Sequence, residues 1–268
     1  MRSRIFPVAL FALGAASSNP THAASASWRR VVLVELFTAQ GCSSCPAADA
    51  LVRDLPTLGL TRDKVVPLTF HVDYWDRLGW KDRFARPEFT ARQEWYARDV
   101  RLQAPVGESG ISGLYTPQMV VDGRVHLSGG RRAQAVHEME RAAELPANFD
   151  LAPRLSVHGD AIDVEIEVID RVSGGRGPNW RAQVALTAKR ARTTVARGEN
   201  AGSTLEEAAV VRALSERVAI PSGGSTPVRV RLTKPADVPW SDLDVVAFVQ
   251  SERTGEMGAA VQLSPMGR

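Results

Sequence analysis

Residues 31–51, VVLVELFTAQGCSSCPAADAL, contain both cysteines of the chain, Cys42 and Cys45. Val31 to Phe37 is apolar and β-branched, broken only by Glu35, and predicts a buried strand. Cys45-Pro46 then opens a helix, because proline suits a first helical turn. Ala47, Ala48, Leu51, Val52 and Leu55 give that helix an apolar face, with Asp49 and Asp54 outside the stripe, and Gly59 ends the segment. Lys64 to Val72 (KVVPLTFHV) predicts a second strand. Strand, helix, strand implies parallel pairing through a right-handed crossover.

Working outward, Tyr74 opens a segment of about 74–104 dense in aromatic residues, with a helix from Pro87 to about Leu102. Gln118 to Val121 and Arg124 to Leu127 flank an Asp122-Gly123 turn and predict a hairpin. Ala133 to Leu145 reads as an amphipathic helix, which Pro146 ends. Beyond Asp150 the texture changes. Ile162, Val164, Ile166 and Val168 alternate with Asp163, Glu165 and Glu167, the period of a half-exposed strand. Short strand-like runs follow, separated by turns such as Ser173-Gly174-Gly175 and Ser222-Gly223-Gly224. The second half therefore reads as an all-β sandwich.

The N-terminus predicts export. Arg2 and Arg4 precede an apolar run, Ile5 to Ala16, that is too short to cross a bilayer, and the small-residue sites Thr21-His22-Ala23 and Ala24-Ser25-Ala26 follow. The expectation is a cleaved signal peptide over 1–26, periplasmic or secreted localisation and no stable membrane insertion. The whole chain carries 33 basic and 30 acidic side chains, or +3. Cleavage removes Arg2 and Arg4, leaving 31 minus 30, or +1, which excludes a strongly basic nucleic-acid binder. Two cysteines do not make a disulfide scaffold. The pair therefore serves chemistry or one local constraint, as a redox couple, a local disulfide or half of a metal site. As metal ligands, Cys42 and Cys45 need a further donor, and His71 at the end of the second strand is the best placed. His71, Asp73 and Asp76 lie where open α/β sheets build their sites.

A C-x-x-C in a strand–helix–strand context resembles a thioredoxin-like redox site. The helix N-terminus stabilises a thiolate there. The resemblance makes Cys42 the exposed nucleophile and Cys45 the resolving thiol. It casts Thr116-Pro117 as the substrate-positioning proline motif and Glu35 as the buried acid that moves the proton of the resolving thiol; an alternative for Glu35 is a strand-edge residue paired with an arginine. Trp75, with Tyr74 and Trp80, offers an apolar platform for a peptide or a core for the inserted segment. The motifs VELFTAQGCSSCPAAD (34–49), HVDYWDRLGWKDRF (71–84), FTARQEWYA (89–97), YTPQMVVDG (115–123) and GENAGSTL (198–205) together resemble the exported thioredoxin-like family known as domain of unknown function 1223. That resemblance implies an α/β thioredoxin-like domain over 27–147, with the helical insertion, followed by an all-β sandwich-like domain over 150–268. The function expected is a thiol–disulfide oxidoreductase that acts on a protein thiol or disulfide, with an electron-transfer partner protein and no organic cofactor. A binding module with an inert disulfide and a copper-handling protein using Cys42, Cys45 and His71 stand as alternatives. Gly198 to Gly202 reads either as a loop that contacts a partner or the thioredoxin-like domain, or as a plain hairpin connection.

Overall fold

The computed structural model describes residues 29–100, 102–104, 113–171, 179–220 and 227–267. The expected signal peptide and the turns at 173–175 and 222–224 lie outside them. The first half supplies β1 (Val32–Thr38), α1 (Pro46–Asp54), β2 (Val65–His71), α2 (Pro87–Trp95), β3 (Gln118–Val121), β4 (Val125–Ser128) and α3 (Arg132–Ala143). Most of its elements form where their patterns predict, but on α1 Ala47 is exposed and Asp49 buried, the reverse of the expected faces. Pro46 opens α1, Pro87 opens α2, and a π-helical turn, Tyr96–Val100, continues α2. Asp122 and Gly123 take positive φ of 54° and 64° between β3 and β4, as a tight hairpin turn demands. β1 and β2 pair in parallel, and β3 pairs antiparallel with the other edge of β1.

The second half supplies β5 (Phe149–His158), β6 (Ala161–Asp170), β7 (Trp180–Thr194), β8 (Thr204–Leu214), β9 (Val218–Ala219), β10 (Val228–Thr233), β11 (Leu243–Ser251) and β12 (Met257–Leu263). Here the expected architecture of a thioredoxin-like α/β domain followed by an all-β sandwich is overturned. Among the described residues, one nine-stranded mixed sheet runs β12-β11-β7-β8-β2-β1-β3-β4, with β9 beside β7; only β10, β6 and β5 form a separate antiparallel sheet. The join is β8, which lies parallel to β2 at Thr69 and Val210, and the Thr69 hydroxyl donates to Ala208 O at 2.8 Å.

The physical reason is burial on both faces. In β7, Val184 and Leu186 pack against the three-stranded sheet through Ile162, Val164 and Ile166, whereas Ala185 faces the core around Phe37, Phe70 and Phe89. β11 divides likewise, with Val245 and Ala247 on one side and Val246 and Phe248 on the other. Strands covered twice read as continuous apolar runs and serve the middle of a sheet. The sheet curls until β12 lies against β1 and β2. Arg30 fastens that closure: its guanidinium donates to Met257 O and pairs with buried Asp122 at 3.1 Å. The opposite face of β1, through Val32, Val34 and Leu36, packs on α1 and α3.

Candidate functional site

β1 runs straight into the cysteine turn, and the turn runs straight into α1. Cys42 N–H donates to Ala39 O at 3.1 Å and Cys45 N–H to Cys42 O at 3.2 Å. The N–H groups of Ala48 and Asp49 both donate to Cys45 O, which starts the helix. The two sulfurs form a disulfide with the Cα atoms 5.4 Å apart. Both cysteines are 0% exposed, so the expected exposed nucleophile is covered. Ser44 Oγ lies 3.4 Å from Cys42 Sγ.

Contacts around the turn come from both halves of the chain. Trp75 packs against the core that holds the cysteines, and its indole N–H donates to Thr116 Oγ1 at 2.9 Å. The Thr116–Pro117 bond is cis. On the other flank, the loop between β7 and β8 reaches back to the cysteine turn. Glu199 Oε2 accepts from Ser43 N–H at 3.0 Å. The Asn200 amide donates to both Gln40 O and Cys42 O at 2.9 Å. The loop Gly198 to Gly202 is both the hairpin connection between β7 and β8 and a contact with the first half.

A buried polar cluster lies behind the turn, where β1, β2, α1 and β8 meet. Gln40 donates through its backbone N–H to Asp82 Oδ2 at 2.9 Å and through its side chain to Glu207 and Thr193. His71 Nδ1 sits 2.7 Å from Asp82 Oδ2, and its Nε2 is 3.8 Å from Glu207 Oε1. Burial opposes charge on His71, but Asp82, Glu207 and Asp49 outweigh it and raise the imidazole to about 9. Asp49, one turn beyond Cys45, is raised to about 7, chiefly by burial, with Glu207 adding to the rise and His71 opposing it. Its Oδ2 accepts from Thr38 Oγ1 at 3.3 Å, and its Oδ1 has no partner. Among the described residues no three His, Cys, Asp or Glu side chains are placed to hold a metal ion. Through Asp82 and Glu207, His71 belongs to an acid–imidazole cluster.

Glu35 sits elsewhere on β1. It shares the face of Leu33 and Phe37 and is buried, with Arg92 Nε bonded to Oε1 at 2.5 Å and the Tyr96 hydroxyl bonded to Oε2. Arg92 also donates to Gln250 Oε1 at 2.8 Å and to Gln183 Oε1 at 3.3 Å. The structure therefore brings together Cys42 and Cys45, and separately Trp75 with Thr116, while Glu35 anchors a second buried cluster. Asp49, Gln40, Asp82, Asn200 and Glu207 were not legible as site residues. Asp49 falls outside the apolar stripe of α1, and its partners come from four separate elements.

The sequence pattern of the family described as "Protein of unknown function (DUF1223)" matches residues 33–250. The chain belongs to this family. The DUF1223 match starts within β1 and ends within β11, so it takes in the disulfide, the acid–imidazole cluster and the loop that bonds to the cysteine turn. The chain is similar to an Agrobacterium tumefaciens protein whose crystal structure was solved as a structural-genomics target. They share 26% identity over 88% of this chain and 95% of that one, with a TM-score of 0.61. A domain of the outer membrane lipoprotein Omp28 from Porphyromonas gingivalis matches at 15% identity over 44% of this chain and 88% of that one, with a TM-score of 0.29, too slight to bear on fold or function. No curated protein matches the chain. Among the described residues, no helix is long and apolar enough to cross a membrane.

Proposed function

We propose that this DUF1223 protein is an exported thiol–disulfide oxidoreductase working through the Cys42–Cys45 couple on a protein substrate. The carrying observation is a disulfide across a separation of three residues at the entrance to α1. As a staple it closes a loop of about four residues, for which the chain-entropy account gives only about 2 kcal/mol, against about 4.7 kcal/mol for a 100-residue loop. As a redox couple the same adjacency is useful, because the second thiol can resolve a mixed disulfide formed on the first. The exchange balances without a further reagent. A substrate thiolate attacks Cys42 Sγ, the Cys42–Cys45 bond breaks, and Cys45 leaves with the electron pair and takes up a proton. A second substrate thiol then displaces Cys42, so the substrate is oxidised by two electrons and the pair reduced by two; the reverse sequence reduces a substrate disulfide.

Trp75 packs against the core that holds the pair and is bonded to Thr116; with Thr116 and the cis Pro117 it positions the substrate. The proton on Cys45 is exchanged with Asp49, whose Oδ1 is buried and unpaired one turn along α1. Glu35, with both oxygens engaged by Arg92 and Tyr96, holds the core beneath the site. Export rests on the N-terminal sequence pattern. The full burial of both cysteines favours a second reading, an inert disulfide in a binding module.

The midpoint potential separates the two readings. Thiol trapping in graded redox buffers gives a value between about −120 and −270 mV for a working couple; a value below about −300 mV marks a staple. In cells, Cys45→Ala accumulates mixed disulfides on Cys42 if the couple works. Their absence beside a trapping oxidoreductase control rules the redox reading out.

A further inference from the structure

We propose, on the redox reading above, that His71 is a positioning residue for the disulfide step. Seated between Asp82 and Glu207, it supplies the countercharge that lets Asp49 hand its proton to Cys45, and it thereby ties the couple to pH. Cys45 and Asp49 stand four apart at the start of α1, where side chains at that spacing are neighbours. Cys45 has helical φ and ψ of −75° and −36°, and its carbonyl accepts the Asp49 N–H at 3.1 Å. Thr38, whose hydroxyl donates to Asp49 Oδ2 at 3.3 Å, is the register partner of His71 in the β1–β2 ladder. His71 lies 2.7 Å from Asp82 through Nδ1 and 3.8 Å from Glu207 through Nε2. Asp49, His71, Asp82 and Glu207 are all buried. Two polar atoms of the cluster, Asp49 Oδ1 and His71 Nε2, have no hydrogen-bond partner. Buried polar networks that serve structure alone fill such bonds. Here the two unfilled groups are the acid one turn from the disulfide and the imidazole coupled to it.

The step balances within the site. A substrate thiolate attacks Cys42 Sγ, the Cys42–Cys45 bond breaks, and Cys45 keeps the electron pair. The Asp49 O–H proton passes to Cys45 Sγ, so the negative charge ends on Asp49. A buried carboxylate facing only Asp82 and Glu207 is costly; the His71 imidazolium offsets that cost. In the reverse direction the Asp49 carboxylate takes the proton back from Cys45. The surroundings of Asp49 set where it does so. Burial raises it most, His71 lowers it, Glu207 and Asp82 raise it, and the balance lies at about 7. His71 faces Asp82, Glu207 and Asp49, and Glu207 also faces Arg83. On α1 itself, Arg53 is turned to Glu206 O and Asp54. Asp49 therefore carries a proton to give below about pH 7 and has lost it above.

The test uses the purified full chain as wild type, Asp49→Asn, His71→Gln and Glu207→Gln. Loss of the Cys42–Cys45 disulfide is followed from pH 5 to 9 with tris(hydroxypropyl)phosphine, and each rate is divided by that of the same reagent on oxidised glutathione. The wild-type ratio falls about tenfold from pH 6 to pH 8, as the protonated fraction of a group at about 7 does. Asp49→Asn abolishes the fall. His71→Gln moves the fall to higher pH and Glu207→Gln moves it to lower pH, opposed shifts that loosened packing does not produce. A wild-type ratio that is flat with pH, or two variants that shift the fall in the same direction, overturns the inference. Should His71→Gln lose its urea transition, the downward shift in Glu207→Gln decides. A midpoint potential in the structural range with the opposed shifts intact refutes the redox reading and keeps Asp49 and His71 as the proton pair of this disulfide. A potential in the catalytic range with no shift in either variant refutes the inference and keeps the redox reading.

Discussion

Replacing Arg92 with Met tests whether the buried cluster under the site is what binds the two halves of the chain. Arg92 and Glu35 side chains are 3% and 1% exposed and lie 2.5 Å apart. Arg92 also reaches Gln183 in β7 and Gln250 in β11, and its guanidinium stands 5.5 Å from the Phe70 ring and 5.6 Å from the Phe248 ring. Methionine fills much of the volume but leaves the Glu35 carboxylate buried beside Tyr96 without a cation. Breaking a buried pair from one side costs about 3–5 kcal/mol, about a fifth or more of the total stability of about 5–15 kcal/mol expected of a domain. Urea unfolding followed by far-ultraviolet circular dichroism reads this as a midpoint drop of about 1–2 M for an m-value of about 3 kcal/mol/M. The double variant Arg92→Met with Glu35→Gln keeps an acceptor for Tyr96 and removes the stranded charge, so it recovers about 1 kcal/mol or more. A loss below about 1 kcal/mol in Arg92→Met, or a double variant no more stable than the single one, refutes the reasoning.

Two further outcomes follow from the same structure. His71 is raised to about 9, so its contribution is complete below the ordinary histidine value of about 6.5 and is lost as pH rises through about 9; thermal melts from pH 6 to 10 should show that decline in the wild type and a flatter profile in His71→Gln, and parallel profiles would count against it. Asp49, raised to about 7, acts in the same direction at lower pH. Gly123→Ala places a Cβ 1.8 Å from Gly255 O at a φ of +64°, so it should cost about 3 kcal/mol or more, and a urea midpoint equal to wild type would show that the two turns separate freely.

Much of the first half was legible because its signals are local. Proline at the first turn of α1 and α2, the Asp122-Gly123 turn and the apolar stripe of α1 each act within a few residues. The second half misled for a physical reason. QVALTA (183–188) and DVVAFVQ (244–250) are continuous apolar runs, which signal burial on both faces; a sandwich strand covered on one face alternates, as β6 does. The pairing of β8 with β2 leaves no local trace at all, since it joins Thr69 to Val210. The candidate site was legible at the disulfide and opaque behind it. Asp49 looks like a solvated helix residue until His71, Asp82 and Glu207 arrive from three other segments.

The curled sheet also sets the order in which this chain can become itself. Thr69 has to wait for a partner 139 residues further along, and Arg30 for one 227 residues away. Folding dominated by such distant pairings is slow. Until β8 arrives, the outer edge of β2 is an open row of peptide groups able to recruit a strand from any neighbour. A chain cut after α3 keeps that edge permanently bare, so the first half made alone should self-associate, and β8 is as much a guard against aggregation as a member of the sheet.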